Sequence, residues 1–113
     1  MKRRQLPTAS LHVLLALLEG EKHGYAIMRD VEQLSDGATR MGPGTLYGTI
    51  SRLLGDGLIE EVSAPDADEP GAERRRYYRL TPDGTRVATD ELRRLQSLLQ
   101  RVAQLNPHLG GAS

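Results

Sequence analysis

The sequence has no cysteine, no tryptophan and no phenylalanine, and four tyrosines are its only phenol rings. Absence of cysteine excludes disulfides and thiolate metal sites, and it suits a reducing cytoplasm. Without Phe and Trp, the core must be built from aliphatic side chains and tyrosine. Such a core is modest for a chain of 113 residues, and association with a second copy would strengthen it. Long apolar runs are missing too: none approaches the ~20 residues needed to span a bilayer. The opening "MKRRQLPTASLHVLLALLEGE" superficially suggests a signal peptide, but Glu19, Glu21 and Lys22 follow without a small-residue cleavage pattern. It reads as a first helix.

An excess of charge of either sign is also lacking. The formal net charge is zero, which at first argues against a nucleic-acid partner. The distribution argues otherwise: residues 1–55 carry a net +2, residues 56–73 a net −7, and residues 74–113 a net +5. Balance overall is compatible with a basic face.

Apolar spacing divides the chain into elements. Thr8 is the expected cap of a helix carrying Leu11, Leu14, Leu15 and Leu18, with Gly20 as its stop. "HGYAIMRDVEQL" repeats the helical spacing and "SDG" ends it. A third helix is expected from about Pro43 to Asp56, with Gly57 as stop. "LIEEVSA" and "RRRYYRL" read as strands around the charged turn "PDADEPGAE", which makes a hairpin with a long tip. Thr81-Pro82 starts a final helix to about Leu105, followed by a short tail. The expected fold is mainly α with a β-hairpin wing, a winged helix-turn-helix plus a long C-terminal helix. Its parts are a DNA-binding domain over 1–81, a dimerisation helix over 82–105 and a tail over 106–113.

The third helix, in "RMGPGTLYGTISRLLGDGLIEE", raises a particular question. Glycine in a helix interior costs roughly 1 kcal/mol relative to alanine, yet Gly44, Gly48 and Gly55 lie in or beside this one. On a helical wheel Leu46, Tyr47, Ile50, Leu53 and Leu54 share one arc. Thr45, Gly48, Ser51, Arg52, Gly55 and Asp56 take much of the other. Two readings are open. The small face admits close approach of the backbone to a groove about 12 Å wide, with hydroxyls and Arg52 reaching phosphates and base edges. Alternatively, the glycines accommodate tight packing of another helix. Three short helices followed by a basic hairpin favour the first, because in the winged helix-turn-helix the third helix enters the major groove. Arg74, Arg75, Arg76 and Arg79 lie on the second strand of the hairpin. They reach phosphates, or pair with Asp66, Asp68, Glu69 and Glu73 beside them.

The segments "HGYAIMRDV", "GPGTLYGTISRLLGDGLIE" and "RRRYYRLTPDG", in this order and spacing, resemble the PadR family of bacterial transcriptional regulators. The likeness covers about residues 8–105, and a single C-terminal helix resembles the short subgroup of that family. The resemblance implies a homodimeric repressor that binds an inverted-repeat operator in double-stranded DNA, often in its own promoter, and is released by a small-molecule effector. Carried over residue by residue, Thr45, Tyr47, Gly48, Ser51 and Arg52 fall on the recognition helix. Tyr25 falls at the start of the second helix, where its hydroxyl either positions a phosphate or packs in the core. Lys2, Arg3 and Arg4 are a candidate nonspecific arm.

In the last helix Ala88, Leu92, Leu95, Leu99 and Val102 step by alternating fours and threes, and Leu98 and Leu105 widen the seam. That period suits packing on another helix, and these residues are the expected dimer interface. Some relatives sandwich flat hydrophobic effectors between tryptophans of the paired C-terminal helices. This chain has no tryptophan, so the same sandwich is excluded. Leu11, Leu15, Leu92, Leu95 and Leu99 are the apolar residues an effector would meet, and no effector site is assigned.

An enzyme is not expected. No glycine-rich phosphate loop is present, and nothing gathers Ser10, His12 and Asp30 into a site. His12, His23 and His108 lie on different elements, so no metal site and no cofactor are expected. Two other readings remain: a winged-helix module that binds protein instead of DNA, and a winged helix of the MarR type, against which the "PGTLY" run stands.

Overall fold

Three short helices, a small antiparallel sheet and one long helix make up the computed structural model, which describes residues 6–63 and 76–106. In chain order these are α1 (Thr8–Ala16), a 3-10 turn (Leu17–Glu19), β1 (Lys22–His23), α2 (Gly24–Leu34), α3 (Pro43–Gly55), β2 (Ile59–Val62), β3 (Tyr77–Leu80) and α4 (Pro82–Leu105). The arrangement is a winged helix-turn-helix with a long C-terminal helix.

α1 is the central helix. It is apolar around most of its circumference, as expected of a helix covered on several sides, and it packs against α2, α3 and α4. Val13 and Leu14 from α1 meet Ile27 and Val31 from α2, Leu46, Ile50 and Leu53 from α3, Ile59 from β2 and Tyr78 from β3. The expected cap is corrected here. Pro7 holds the N-cap position, its carbonyl accepting from the Leu11 amide at 3.0 Å, and Thr8 is already helical. Proline fixes φ near the value a helix entry needs, so the start moves back one residue.

The sheet has three strands in the order β1-β3-β2, one more than the hairpin expected. β1 pairs Lys22 with Tyr78 and His23 with Tyr77, while β2 pairs Ile59 with Leu80, Glu60 with Arg79, Glu61 with Tyr78 and Val62 with Tyr77. Alternation sends neighbouring residues to opposite faces. Tyr78 therefore enters the helical core, and Tyr77 meets the ring of His23 edge-on at 5.4 Å on the other face. The tip of the hairpin, with Asp66, Asp68, Glu69, Glu73, Arg74 and Arg75, lies outside the described residues, as do Lys2, Arg3, Arg4 and the tail beyond Asn106.

α3 ends as its sequence requires: Asp56 caps it and Gly57 turns the chain with φ of +73°, a conformation glycine adopts without steric cost. α4 starts as expected, with the Thr81 hydroxyl oxygen accepting from the Gly84 amide at 3.0 Å and Pro82 in the first turn. The same hydroxyl donates to the Gly57 carbonyl at 2.7 Å, which ties α4 to the end of α3. Only the start of α4 is buried, at Gly84 and Ala88.

Candidate nucleic-acid interface

α3 buries Leu46, Thr49, Ile50 and Leu53 and exposes Thr45, Tyr47, Gly48, Ser51, Arg52 and Gly55. Two residues depart from the expected arc, Tyr47 at 50% exposed and Leu54. Leu54 is 38% exposed while Thr49 is buried, because positions 46, 49, 50 and 53 define the middle of the stripe and 54 lies past its edge. The two readings of the glycines now separate. A Cβ built on Gly44, Gly48 or Gly55 would meet no atom within 4 Å, so no packing within the described chain calls for glycine there. Close-packing glycines exist elsewhere. At Gly24 a Cβ would stand 3.2 Å from Cζ of Tyr47.

That approach sets the place of Tyr47. Its phenol lies over the N-terminus of α2 while half its surface remains open. The start of α2 is organised around it. His23 is the N-cap, its Nδ1 accepting from the Ala26 amide at 3.3 Å, and its ring stacks on Tyr25 with centroids 6.5 Å apart. Tyr25 is 66% exposed, which removes the core alternative for this side chain. One turn further, Arg29 is exposed on the same side of α2, at the spacing that aligns side chains on a helix. Tyr25, Tyr47 and the small face of α3 are thus brought to the exposed surface of the helix pair.

The wing supplies further charge. The Arg76 Nε lies 3.6 Å from Glu61, and the Arg79 Nε donates to Glu60 at 2.7 Å. Tyr78 links this region to α3: burial, the Glu61 carboxylate and Tyr47 raise its pKa against the opposing charge and hydrogen bond of Arg76. Before α3, Arg40 is exposed and its Nε lies 3.2 Å from Glu32 on α2. Arg52 has no ion pair among the described residues. Arg40, Glu32 and Glu61 were not singled out from sequence, since charges eight or more positions apart give no periodic signal.

The sheet is anchored to the helices by Lys22. Its ammonium bonds Glu19 at 3.0 Å and also Asp30. Burial alone would lower its pKa, but the two carboxylates outweigh burial and raise it. Beside this cluster is a shallow cleft of about 230 Å³ walled by Leu15, Ala16, Gln33 and Leu34.

On α4, Ala88 is fully buried in the chain's own core. Its expected place in a seam between copies is corrected: the helix is still docked there, and a small side chain at 88 permits that docking. Leu92, Leu95 and Leu99 are 40%, 37% and 63% exposed, and Val102 is half-buried. Among the described residues no helix is long and apolar enough to cross a membrane, and no group of three or more potential ligands could hold a metal ion.

The model of the PadR-like family of transcriptional regulators matches residues 13–90. The transcriptional regulator Rv3488 of Mycobacterium tuberculosis is 34% identical over 112 residues, which cover 98% of this chain and 97% of that protein. RosR of H. salinarum superposes with a TM-score of 0.68 at 25% identity, covering 97% of this chain and 98% of its own. A PadR family transcription regulator from Clostridium difficile R20291 gives a TM-score of 0.69 at 20% identity, over 88% and 97% of the two chains, a likeness of fold.

Proposed function

The chain belongs to the PadR-like family of transcriptional regulators, not to a family of enzymes, and from that premise we propose that it is a homodimeric, sequence-specific DNA-binding repressor. One observation carries the DNA-binding reading. α3 presents an exposed face of Thr45, Gly48, Ser51, Arg52 and Gly55 whose glycines answer to no packing need within the described chain. Helix stability alone would favour alanine, glutamate or lysine there. A helix entering the major groove gains from a low profile, two hydroxyls and one guanidinium. Tyr25 and Tyr47 are assigned to phosphates, and Arg52 to a base edge or phosphate. Of the wing residues assigned to DNA, Arg76 is exposed and paired with Glu61, while Arg74 and Arg75 lie outside the described residues.

Dimerisation is assigned to residues 82–105, with residues 1–81 as the DNA-binding unit. The exposed leucines of α4 support this reading: a two-fold pair of such helices places two copies of α3 on successive major grooves of an inverted repeat. Release by a small-molecule effector in the cytoplasm is part of the proposal, and membership of the family supports it; no pocket is assigned to the effector.

The test is a fluorescence-anisotropy titration of DNA from upstream of the chain's own gene, beside an unrelated duplex, at several salt concentrations. Tight binding that prefers the upstream duplex, weakens steeply with salt and is reduced in Arg52→Ala supports the reading. Absence of binding at low salt would overturn it and turn the glycine-lined face into a protein-docking surface.

A further inference from the structure

We propose that the His23–Gly24 step at the entry to α2 is the positioning element of the DNA interface: Gly24 fixes the phenol of Tyr47, and His23 fixes the phenol of Tyr25. The inference rests on the DNA-binding reading above and adds to it the residues that hold those two hydroxyls ready for phosphate.

Gly24 acts on Tyr47. A Cβ built on Gly24 would stand 2.7 Å from the Tyr47 hydroxyl oxygen, 3.2 Å from Cζ and 3.4 Å from Cε1. All three nearest atoms thus belong to the far end of one side chain, and none is backbone. The backbone itself makes no demand for glycine here. The described glycines with positive φ are Gly20, Gly37 and Gly57, so Gly24 has a conformation open to alanine, and alanine is the better helix former. What glycine supplies is room for a phenol. The ring of Tyr47 reaches from α3 onto the first residue of α2 and lies where a methyl group would. Because Tyr47 is half-exposed, a methyl at position 24 would push the ring into solvent and leave the helices in place. The hydroxyl would move, and the fold would not.

His23 acts on Tyr25. Its ring lies 21° from the plane of Tyr25 and meets Tyr77 of the wing edge-on at 89°. The imidazole is itself held from two sides. The His23 backbone pairs with Tyr77 in the sheet, and its Nδ1 accepts from the Ala26 amide in α2. Tyr25 is exposed, and an exposed side chain has several rotamers open to it. Stacking on a fixed neighbour narrows that choice before DNA arrives, so less freedom is lost on binding. The two phenols are therefore set by adjacent residues, one through the absence of a side chain and the other through its ring. At this step the wing, through Tyr77, and α3, through Tyr47, meet the start of α2.

The experiment is a pair of double-mutant cycles on the full-length protein, read as affinity for the tightest duplex selected from a random pool, at several salt concentrations. Coupling between two residues appears as non-additivity. Gly24→Ala and Tyr47→Phe should each weaken binding roughly tenfold, the scale of one lost hydrogen bond to a charged group. The double variant should be no weaker than Tyr47→Phe alone, because without the hydroxyl there is nothing left to displace. Gly24→Ala should melt at or above the temperature of wild type. A phenol carries no charge, so the salt slope should stay as in wild type.

For His23 the cap and the ring are separated by His23→Asn, since asparagine is among the best N-caps but offers no ring to stack on. It should keep the helix folded and weaken binding about three- to tenfold, the scale of one side chain left to be ordered on binding. That loss should vanish in the Tyr25→Phe protein. Damage to α2 in general would weaken binding equally in either background, and such additivity in both cycles would overturn the proposal. Wild-type affinity in Gly24→Ala and His23→Asn would overturn it too, as would a clearly lower melting temperature in Gly24→Ala, which would make the glycine a requirement of folding. Wild-type protein that binds DNA while the cycles are additive sinks this inference alone; wild-type protein that binds no DNA sinks the function with it.

Discussion

Gly84 lies directly against the backbone of Leu58: a Cβ built on it would stand 2.9 Å from the carbonyl carbon and closer still to the oxygen. The carbonyl has no freedom to withdraw, because it also accepts from the Thr81 amide at 3.1 Å. Thr81 is in turn bonded to Gly57. The start of α4 is therefore locked onto the link between α3 and β2, and the direction of the long helix follows from that lock. Gly84→Ala should separate helix from sheet and cost at least the ~1–3 kcal/mol typical of overpacking. Urea denaturation would reveal it as a lower midpoint. A midpoint at or above that of wild type would show that the backbone here yields easily.

Gly48 is the opposite case. Nothing lies within 4 Å of its would-be Cβ, so Gly48→Ala should stabilise the chain by about 1 kcal/mol through helix propensity alone. The same methyl group stands on the face assigned to the DNA groove. We therefore expect a higher melting temperature together with weaker DNA binding. Gain of stability without loss of affinity would mean that the backbone of α3 does not approach the duplex closely.

What could be read before the structure was known follows from where periodic patterns exist. α2, α3 and α4 declared themselves because residues such as Ile27 and Val31, or Leu46, Ile50 and Leu53, repeat a buried stripe at helical spacing. The caps at Thr81 and Gly57 were legible because their chemistry is local. β1 was not: two residues cannot display alternation, and Lys22–His23 becomes a strand only because β3 is there to pair with it. His23 as a cap was hidden in the same way, since a ring nitrogen is an uncommon acceptor for a helix start. The surface at α3 was half legible. Its small residues and Arg52 stand out along the chain, whereas the Arg40–Glu32 and Arg76–Glu61 pairs depend on tertiary neighbours. Ala88 fitted a heptad seam by spacing, but packing with α1 decides its place.

The Lys22 cluster and Tyr78 predict an alkaline weakness. Both have pKa values raised in the folded chain, Lys22 because its two carboxylate partners outweigh burial, Tyr78 first because of burial. A raised folded pKa stabilises fully below the unfolded value and is lost as pH rises through the folded one. The ordinary values for tyrosine and lysine lie at about 10 and above. Neither group should therefore contribute any pH dependence of stability between about pH 7 and 9, and both should contribute a decline beginning near about pH 10. In Lys22→Met, thermal melts across pH should show a shallower alkaline decline, from a lower starting stability. An unchanged alkaline slope in this variant and in Tyr78→Phe would mean that other groups govern the limb.

The exposed stripe on α4 gives the last prediction. Leu92, Leu95, Leu98, Leu99 and Leu105 are all between 37% and 86% exposed in the single chain, although burying one leucine side chain is worth about 1.5–3 kcal/mol. Contiguous apolar surface of this kind marks an interaction site. Leu99 is the residue to change, because at 63% exposure it takes little part in the chain's own packing. Leu99→Arg places a charge at the expected seam, and two-fold symmetry brings its copy nearby, so each dimer carries the charge twice. Sedimentation equilibrium should find wild type as a dimer at micromolar concentration and Leu99→Arg mostly as a monomer, with α1 to α3 still folded. DNA affinity should fall with it, since a monomer has one α3 to offer and loses the benefit of the linked second half-site. Wild type sedimenting as a monomer at tens of micromolar would remove the seam, and the leucines of α4 would need another occupant. Monomeric Leu99→Arg with undiminished DNA binding would keep the seam but show that one half-site suffices.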